Sequence, residues 1–394
     1  MTRDDILARA ERLVPVLRER AAQAEALRRM PDETVADLVA TGLSRIAQPA
    51  RFGGFELGWD VVCETAMTLG RGDASQAWVA NVYAEHTYMV ALFPDRAQHD
   101  VWDANPAALI SASIVPVGNR VETVDGGYLL DGAWPFASGV HHSHWTLVGE
   151  LVHGGAAPPR HLFFLVPQAD RSIVDDWHTA GMAGTGSMAV KLDRVFVPAH
   201  RALDNAEVAA GRSPGSAVNG SPFYRMPIFG FSSIALASVP VGVAEAMIDL
   251  FAAFVAQRAA RTPAPPALEA LYGRIAQAAA EVKAARLLIL DAVRANMAML
   301  AAGADLTAAD GTRCMHQASY ACVLVSRAAR RLFEACGAHG IHLSNAMQRM
   351  FRDIHTSTVH AALNWDRNAL HYGQLAVQER RLRTDRCGED GACR

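Results

Sequence analysis

The stretch VETVDGGYLLDGAWPFASG, residues 121–139, lies where the sequence changes from a helical to a strand-like pattern. Apolar and polar residues alternate on both sides of its Asp-Gly-Gly segment, which is typical of two strands joined by a tight turn. Short alternating runs separated by Gly, Pro and Asp continue over residues 108–198. We therefore predict a small β domain over residues 108–205.

The sequence on both sides of this β domain has the periodicity of helices. In residues 1–107, apolar side chains recur at spacings of three and four, which predicts an N-terminal helical domain. Residues 201–221 are rich in Gly, Ser and Pro, and we interpret them as a connecting loop. Residues 206–394 predict a C-terminal bundle, apolar enough to bury further surface against other subunits. Its four long helices are expected at 228–260, 266–302, 307–337 and 344–381.

The composition indicates a compact protein with a full hydrophobic core. The chain has 394 residues, of which 51% are hydrophobic and 20% charged, enough for two or three domains. Its net charge of −3 offers no basic surface, so we expect neither nucleic acid nor anionic lipid as a partner. The N-terminus is charged and no later run has about 18 uninterrupted apolar residues. We therefore expect a cytoplasmic protein without a membrane segment.

Two local patterns suggest chemistry that we do not favour. The three histidines of WPFASGVHHSHW, residues 134–145, resemble metal ligands, but neighbours on a strand point to opposite sides and the run contains no Asp, Glu or Cys. We predict no metal site. GRSPG, residues 211–215, matches the serine-hydrolase pattern but lacks a strand-to-helix elbow. The six cysteines are scattered and predict reduced thiols; a disulfide between Cys387 and Cys393 stays open.

Five segments, in order along the chain, carry a resemblance to the acyl-CoA dehydrogenase superfamily. They are RFGGFEL (51–57), DGGYLLDGAWPFASG (125–139), GMAGTGSMAVKLDRVFVP (181–198), VAQR (255–258) and CGAHGIHLSNAMQRMFRDIH (336–355). The resemblance implies an α+β, mainly α fold with an N-terminal helical domain, a central β domain and a C-terminal four-helix bundle. It also implies a flavin between the β domain and the bundle, and a homotetramer.

One position distinguishes two branches of this superfamily. Many acyl-CoA dehydrogenases carry a catalytic Glu about nine residues after an Arg-Asp pair. Here Arg352 and Asp353 are followed at that distance by Val359, His360, Ala361 and Ala362, so the carboxylate is absent. The chain instead resembles the flavin-dependent monooxygenases of this fold, the oxygenase components of two-component systems. Alternatives left open are an N- or S-oxygenase, a dehydrogenase with a displaced base, and a helical scaffold that has lost its flavin.

The monooxygenase resemblance implies a cofactor, a co-substrate and a partner. Reduced flavin, FMNH2 or FADH2, would come from a separate NAD(P)H-dependent flavin reductase, and would react with O2 to a C4a-hydroperoxyflavin that hydroxylates a small phenolic or indolic molecule. The enzyme must keep water away from that species. In keeping with a separate reductase, the sequence has no G-x-G-x-x-G after a strand and no P-loop.

The resemblance assigns flavin contacts to seven residues. Ser138 would lie near flavin N5, and the side chains of Trp134, Phe136 and Ala137 would form a wall against the ring. Ser111 and Ser113 would meet the polar edge of the flavin, and Arg258 would reach it across the dimer.

Histidines are the candidate bases for a phenolic substrate, because their pKa lies near neutrality. His360, beside the lost carboxylate, is our first choice, and His355 is the alternative, roughly 140° away on an ideal helix. His86, in an apolar helix with Asn81, is either catalytic and pocket-lining or a buried structural residue. His141 and His142 are further candidates for the substrate pocket.

Overall fold

The structure is a computed structural model that describes residues 1–154, 157–261 and 265–390. It begins with five helices: α1 (Arg3–Leu27), α2 (Asp32–Thr41), α3 (Trp59–Gly70), α4 (Ala74–Ala91) and α5 (Asp95–Trp102). Helix α1 starts at a capping box between Thr2 and Asp5, which satisfies two backbone N–H groups of its first turn. Every residue of α4 is buried, so α4 is the central helix of this part of the molecule.

The middle of the chain forms a β-sandwich. Its strands are β1 (Ile110–Ser113), β2 (Arg120–Val124), β3 (Gly127–Ala137), β4 (Trp145–Val152), β5 (Arg160–Pro167), β6 (Ser172–Val174), β7 (Met188–Pro198) and β8 (Ala202–Asp204). They are arranged in two four-stranded sheets of order β1-β4-β5-β8 and β2-β3-β7-β6. Strands β2 and β3 pair from Arg120–Asp131 to Val124–Gly127, as the opening stretch of sequence predicts. Side chains from both sheets form a core of their own.

The predicted connecting loop contains two short helices, α6 (Asn205–Ala209) and α7 (Pro214–Asn219). Ser213 caps α7 by accepting a hydrogen bond from the Ser216 N–H. The Gly215 N–H donates to the Leu92 carbonyl at the end of α4, and a Cβ at Gly215 would lie 1.9 Å from the Ala91 carbonyl oxygen. This segment is therefore packed against α4 rather than a free loop, and its Ser213 caps a helix.

The C-terminal part consists of α8 (Ile228–Arg261), α9 (Pro265–Ala301), α10 (Ala308–Ala335), α11 (Ala346–Ser357) and α12 (Trp365–Asp390). The first three agree with the predicted helices, but the fourth prediction is wrong because two helices replace one. The chain leaves the helical conformation at His360, whose φ and ψ are −54° and 140°. A short 3₁₀ turn at Ala361–Leu363 follows before α12 begins.

Helix α8 is long and apolar enough, by length and composition, to cross a membrane, and 56% of its most apolar window is buried inside the structure. A core helix has the same composition. Here α8 packs against α3, α4, α9 and α10, and its buried residues belong to one core that continues from α1 to α11. The burial of α8 is explained by these helices alone.

Candidate active site

Helix α4 connects the three parts of the molecule around one site. The Tyr83 hydroxyl donates to the Gly139 carbonyl, at 2.6 Å, and the His86 imidazole bonds to the Ile110 carbonyl, at 2.7 Å. Both contacts tie α4 to the β-sandwich. On an adjacent face of α4, the Trp78 ring lies 5.8 Å from the His360 ring, between ring centroids. The segments around Gly139, Ile110 and His360 therefore meet along this helix.

His86 presents a hydrogen-bond acceptor. Its Nδ1 lies 2.7 Å from the Ile110 carbonyl oxygen; a carbonyl only accepts, so Nδ1 carries the proton and Nε2 has the lone pair. The side chain is buried, and burial lowers its pKa to about 4 because a dry environment disfavours the charged form. His86 is therefore neutral at pH 7, with a fixed tautomer.

His360 presents the opposite chemistry. The Ala362 N–H donates to its Nδ1, at 3.2 Å, so the proton of the neutral ring is on Nε2, which donates. Although solvent reaches this residue, surrounding protein lowers its pKa to about 4 by desolvation. Since His360 lies outside a helix, the expected helical angle between it and His355 does not apply. His355 bonds to the Phe351 carbonyl of its own helix.

Ser138 ends a chain of hydroxyl groups. Its Oγ is 2.7 Å from the Ser187 Oγ, which is 2.7 Å from the Thr185 Oγ1, and Thr185 donates to the Met182 carbonyl. Because Thr185 uses its proton on a carbonyl, Ser187 must donate to Thr185, and Ser138 must donate to Ser187. The remaining lone pairs of Ser138 are thus available to accept a bond from a ligand.

The turn that carries this hydroxyl chain is held by helix α11. Met182 and Gly186 have positive φ values of 57° and 52°, a conformation that costs energy for a non-glycine residue. The Met182 N–H donates to the buried Asp353 carboxyl, at 2.6 Å. Desolvation raises the pKa of Asp353 to about 7. Thr185, Ser187 and Asp353 were not predicted as site residues, although the glycines of GMAGTGS, residues 181–187, are typical of a tight turn.

The prediction that Trp134 and Ala137 face a flavin is wrong. Both side chains are buried in the sandwich core, and the Trp134 Nε1–H donates to the Gly149 carbonyl. The register of β3 against β7 shifts between Trp134 and Ala137, and Phe136 has a φ of 68°. This bulge turns Phe136 outward, 68% exposed, against the edge of Trp177 at 6.1 Å between ring centroids.

Ser111 and Ser113 use their hydroxyls within the protein. The Ser111 Oγ is fully buried between the hydroxyls of Ser143 and Thr146, at 2.9 and 2.8 Å. The Ser113 Oγ donates to the Pro135 carbonyl and ties β1 to β3. The Ser111 side chain has no exposed surface for contact with a flavin, whereas Ser113, 9% exposed, keeps acceptor lone pairs, and its contact with the flavin edge stays a prediction.

The histidines after Ser138 have mainly structural partners. His142 lies 2.8 Å from the Asp32 carboxylate and 2.9 Å from an Arg29 nitrogen, so it joins the sandwich to α2 rather than facing substrate. His141 contacts the Met188 sulfur at 3.0 Å, and burial lowers its pKa. Among the residues that the structure describes, no group of three or more His, Cys, Asp or Glu side chains is suited to a metal ion.

Two predicted residues keep free polar groups. Arg258 is exposed on α8, where a second chain could reach it. Asn81 is 3% exposed, and neither its Nδ2 nor its Oδ1 has a hydrogen-bond partner among the described residues. The cysteines Cys63, Cys314, Cys322 and Cys336 are free and buried, whereas Cys387 and Cys393 lie outside the described side chains.

These features fit a reduced flavin ring beside the sandwich. The ring is flat and apolar on its faces, which suits the exposed Phe136 and the adjacent Trp177. Its N5–H is a donor, which suits the acceptor lone pairs that the hydroxyl chain leaves on Ser138. The fit rests on residues from β3 and the turn before β7.

Comparison with known proteins agrees with this geometry. Residues 234–365 match the family described as acyl-CoA dehydrogenase, C-terminal domain. Over 374 residues the chain is 34% identical to HsaA of Mycobacterium tuberculosis, the oxygenase subunit of a flavin-dependent monooxygenase, and the match covers 93% of this chain and 94% of that protein. The chain belongs to this family of oxygenase components. Reduced flavin and O2 are its cofactor and co-substrate, and the reduced flavin comes from a separate partner.

Two further comparisons cover almost the whole chain. It is 33% identical over 381 residues to the oxygenase component of an FADH2-dependent resorcinol hydroxylase from a Rhizobium species, covering 94% of this chain and 93% of that protein. The crystal structure of HsaA from M. tuberculosis superposes with a TM-score of 0.91 at 32% identity, covering 96% of this chain and 100% of the other. The predicted fold and the predicted enzyme class are confirmed.

Proposed function

We propose that this oxygenase hydroxylates the ring of a small phenolic or indolic molecule. The observation that carries the proposal is the tautomer of His86, whose Nδ1–H is held by the Ile110 carbonyl. Its Nε2 lone pair can accept the proton of a phenol or of an indole N–H. Partial withdrawal of that proton raises the electron density of the ring, which favours attack on an electrophilic oxygen.

The other residues of the site take complementary roles in this proposal. Reduced flavin, when bound, would activate O2, of which one oxygen atom enters the ring and the other leaves as water. Ser138 accepts a hydrogen bond from the flavin N5–H, because its own proton is given to Ser187. His360 donates through Nε2–H and, with the Trp78 ring beside it, lines the side of the pocket opposite the sandwich. Phe136 and Trp177 exclude water from the ring.

We also propose that the active form is a homotetramer in the cytoplasm. Helix α12 has exposed Leu370 and Val377, at 59% and 55% exposure, and α9 has exposed Leu287 at 54%. Apolar side chains in rows of this kind mark subunit interfaces. The exposed Arg258 on α8 would then reach the flavin of a neighbouring subunit. The separate partner would be an NAD(P)H-dependent flavin reductase.

Single turnover tests the proposed reaction. The protein is mixed anaerobically with chemically reduced FMN or FAD and then with oxygenated buffer containing phenols or indoles. We expect hydroxylated product in excess of the H2O2 formed, with protein-free flavin giving H2O2 only. If every phenol and indole gives H2O2 without product, while sulfides or amines are oxidised, the proposal of ring hydroxylation is wrong.

A further inference from the structure

Helix α4 has a polar pair next to the proposed pocket. Residues Trp78, Asn81 and Glu85 lie within about 60° of one another around the helix, at 100° per residue. The Trp78 ring contacts the His360 ring, so this face of α4 points toward the side of the pocket that His360 lines. Asn81 and Glu85 share that face, one turn apart.

The polar atoms of this pair lack partners. Asn81 is 3% exposed, and both atoms of its amide are unbonded among the described residues. Glu85 is 5% exposed, and its Oε2 also has no hydrogen-bond partner among the described residues. The Ser232 side chain of α8 lies beside the carboxyl and opposes the rise of its pKa. Buried polar groups in native proteins are nearly always paired. Two neighbouring exceptions on one helix face indicate bonds that a ligand completes.

The pair is uncharged at neutral pH. Burial raises the pKa of Glu85 to about 8, and no Arg or Lys of the described chain forms an ion pair with it. By contrast, the buried Glu64 on α3 is paired with Arg3 and Arg294. A protonated carboxyl and an amide each donate and accept, so they match a hydroxyl, carbonyl or amide better than a carboxylate, which would need a cation.

We infer that Asn81 and Glu85 form the polar end of the substrate pocket and bind a second, uncharged hydrogen-bonding group on the aromatic substrate. This inference rests on the proposed ring hydroxylation and deepens it. The substrate class is a phenol that carries a second hydroxyl, a carbonyl or an amide away from the reacting position. Apolar phenols of the same shape leave the pair unbonded and bind less tightly.

Two pairs of matched phenols and two variants test the inference. Resorcinol is compared with 3-methylphenol, and 4-hydroxybenzyl alcohol with 4-ethylphenol, because a methyl group replaces the hydroxyl in each pair. Kd is measured by calorimetry on protein that holds reduced FMN, without O2. Wild type is expected to favour the polar member of at least one pair by about tenfold. Glu85→Met and Asn81→Leu, which keep side-chain size, are expected to remove that preference.

Thermal unfolding gives a second readout. Replacing a buried, unbonded polar group by an apolar one of similar size is expected to raise Tm in both variants, whereas a purely structural role predicts a lower Tm. Glu245→Met is the matched control: Glu245 on α8 bonds to Arg286, so this variant should keep the wild-type preference without a rise in Tm.

The outcomes separate the inference from the proposed function. The inference alone is wrong if wild type hydroxylates at least one of the four phenols but does not bind the polar members more tightly. It is also wrong if wild type shows this preference and both variants retain it. Loss of folding in both variants also contradicts it, since stabilisation is expected. If wild type hydroxylates none of the four, nor any other phenol or indole, the proposed function fails and the inference with it.

Discussion

His86 and His360 show how the backbone can give two histidines different chemistry. Burial lowers the pKa of His86 to about 4, and desolvation by the surrounding protein lowers the pKa of the solvent-accessible His360 to about 4, so both are neutral at pH 7. The partner of Nδ1 then decides the role of Nε2. A carbonyl partner makes His86 an acceptor, and an N–H partner makes His360 a donor. We therefore propose His86 as the base in place of His360, the first choice from the sequence.

Replacement of His86 by Ala is expected to reduce ring hydroxylation by about 10²-fold or more, because the substrate loses its proton acceptor. Binding of reduced flavin should persist, since His86 bonds to the Ile110 carbonyl and not to the hydroxyl chain. Product and H2O2 are measured in single turnovers. His355→Ala is the control, because His355 bonds to its own helix. Unchanged hydroxylation in His86→Ala would contradict the assigned role.

Glu85 is expected to make stability depend on pH. Its pKa is raised from 4.5 to about 8 by burial, so ionisation costs free energy only in the folded protein. This cost is absent below about pH 4.5 and grows as pH rises toward 8. Its titratable neighbours Cys63 and His86 stay neutral over this range, since burial raises the pKa of Cys63 and lowers that of His86.

Glu85→Gln is therefore expected to be more stable than wild type at pH 8, and to lose that advantage at pH 5. The difference between the two pH values should be on the order of a few kcal/mol in the free energy of unfolding. Urea unfolding at both pH values measures it. An advantage that is equal at pH 5 and pH 8 would show that folding does not raise the pKa of Glu85.

Among the secondary elements, the turn between β6 and β7 has the clearest functional consequence. Thr185→Val removes the acceptor for the Ser187 proton, so Ser187 and Ser138 can reorient and the direction of the hydroxyl chain is lost. We expect the amount of H2O2 released per product formed to rise by up to about tenfold, because the free energy of one hydrogen bond changes a rate by about this factor. The ratio is measured in single turnovers with a saturating phenol.

Thr179→Val is the matched control for this prediction. Thr179 precedes the same turn and donates to the Gly181 carbonyl, but it does not belong to the hydroxyl chain. Its variant should release no more H2O2 than wild type. Equal H2O2 release from the Thr179 and Thr185 variants would show that the effect comes from the turn as a whole and not from the direction of the hydroxyl chain.

The break between α11 and α12 is the element that places His360. The apolar pattern of residues 344–381 is compatible with one long helix, yet α11 ends at Ser357 and the ψ angle of His360, 140°, is not helical. The side chain of Asn368 in α12 then donates to the Ala362 carbonyl. Because the chain turns here, the His360 ring lies outside the bundle, beside the Trp78 ring.

For the whole molecule, the proposed tetramer depends on the exposed apolar face of α12. Val377→Asp is expected to shift the protein to smaller species, because a charge on this face cannot be buried without a partner. Sedimentation equilibrium measures the mass. Val218→Asp on α7 is the control, since Val218 is similarly exposed at 46%. An unchanged mass for Val377→Asp would show that this face lies outside the interface.

The sequence by itself determined the order of helices, strands and helices, because hydrophobic period is local and survives without tertiary contacts. It also determined the enzyme class, through the order of five matching segments and the missing carboxylate after Asp353. Side-chain direction was decided by the tertiary structure. The bulge between Trp134 and Ala137 placed Trp134 in the core and Phe136 outside, although the sequence predicted both in one wall, since alternation carries no record of an inserted residue.

Only the tertiary structure decided the protonation pattern of the site. The role of His86 depends on Ile110, 24 positions away, and that of Ser138 depends on Ser187, 49 positions away. Such partners are brought together by packing, and no local pattern encodes which hydroxyl donates. The unpaired amide of Asn81 likewise became visible only when its buried surroundings were known, because a polar residue in an apolar helix has partners in most proteins.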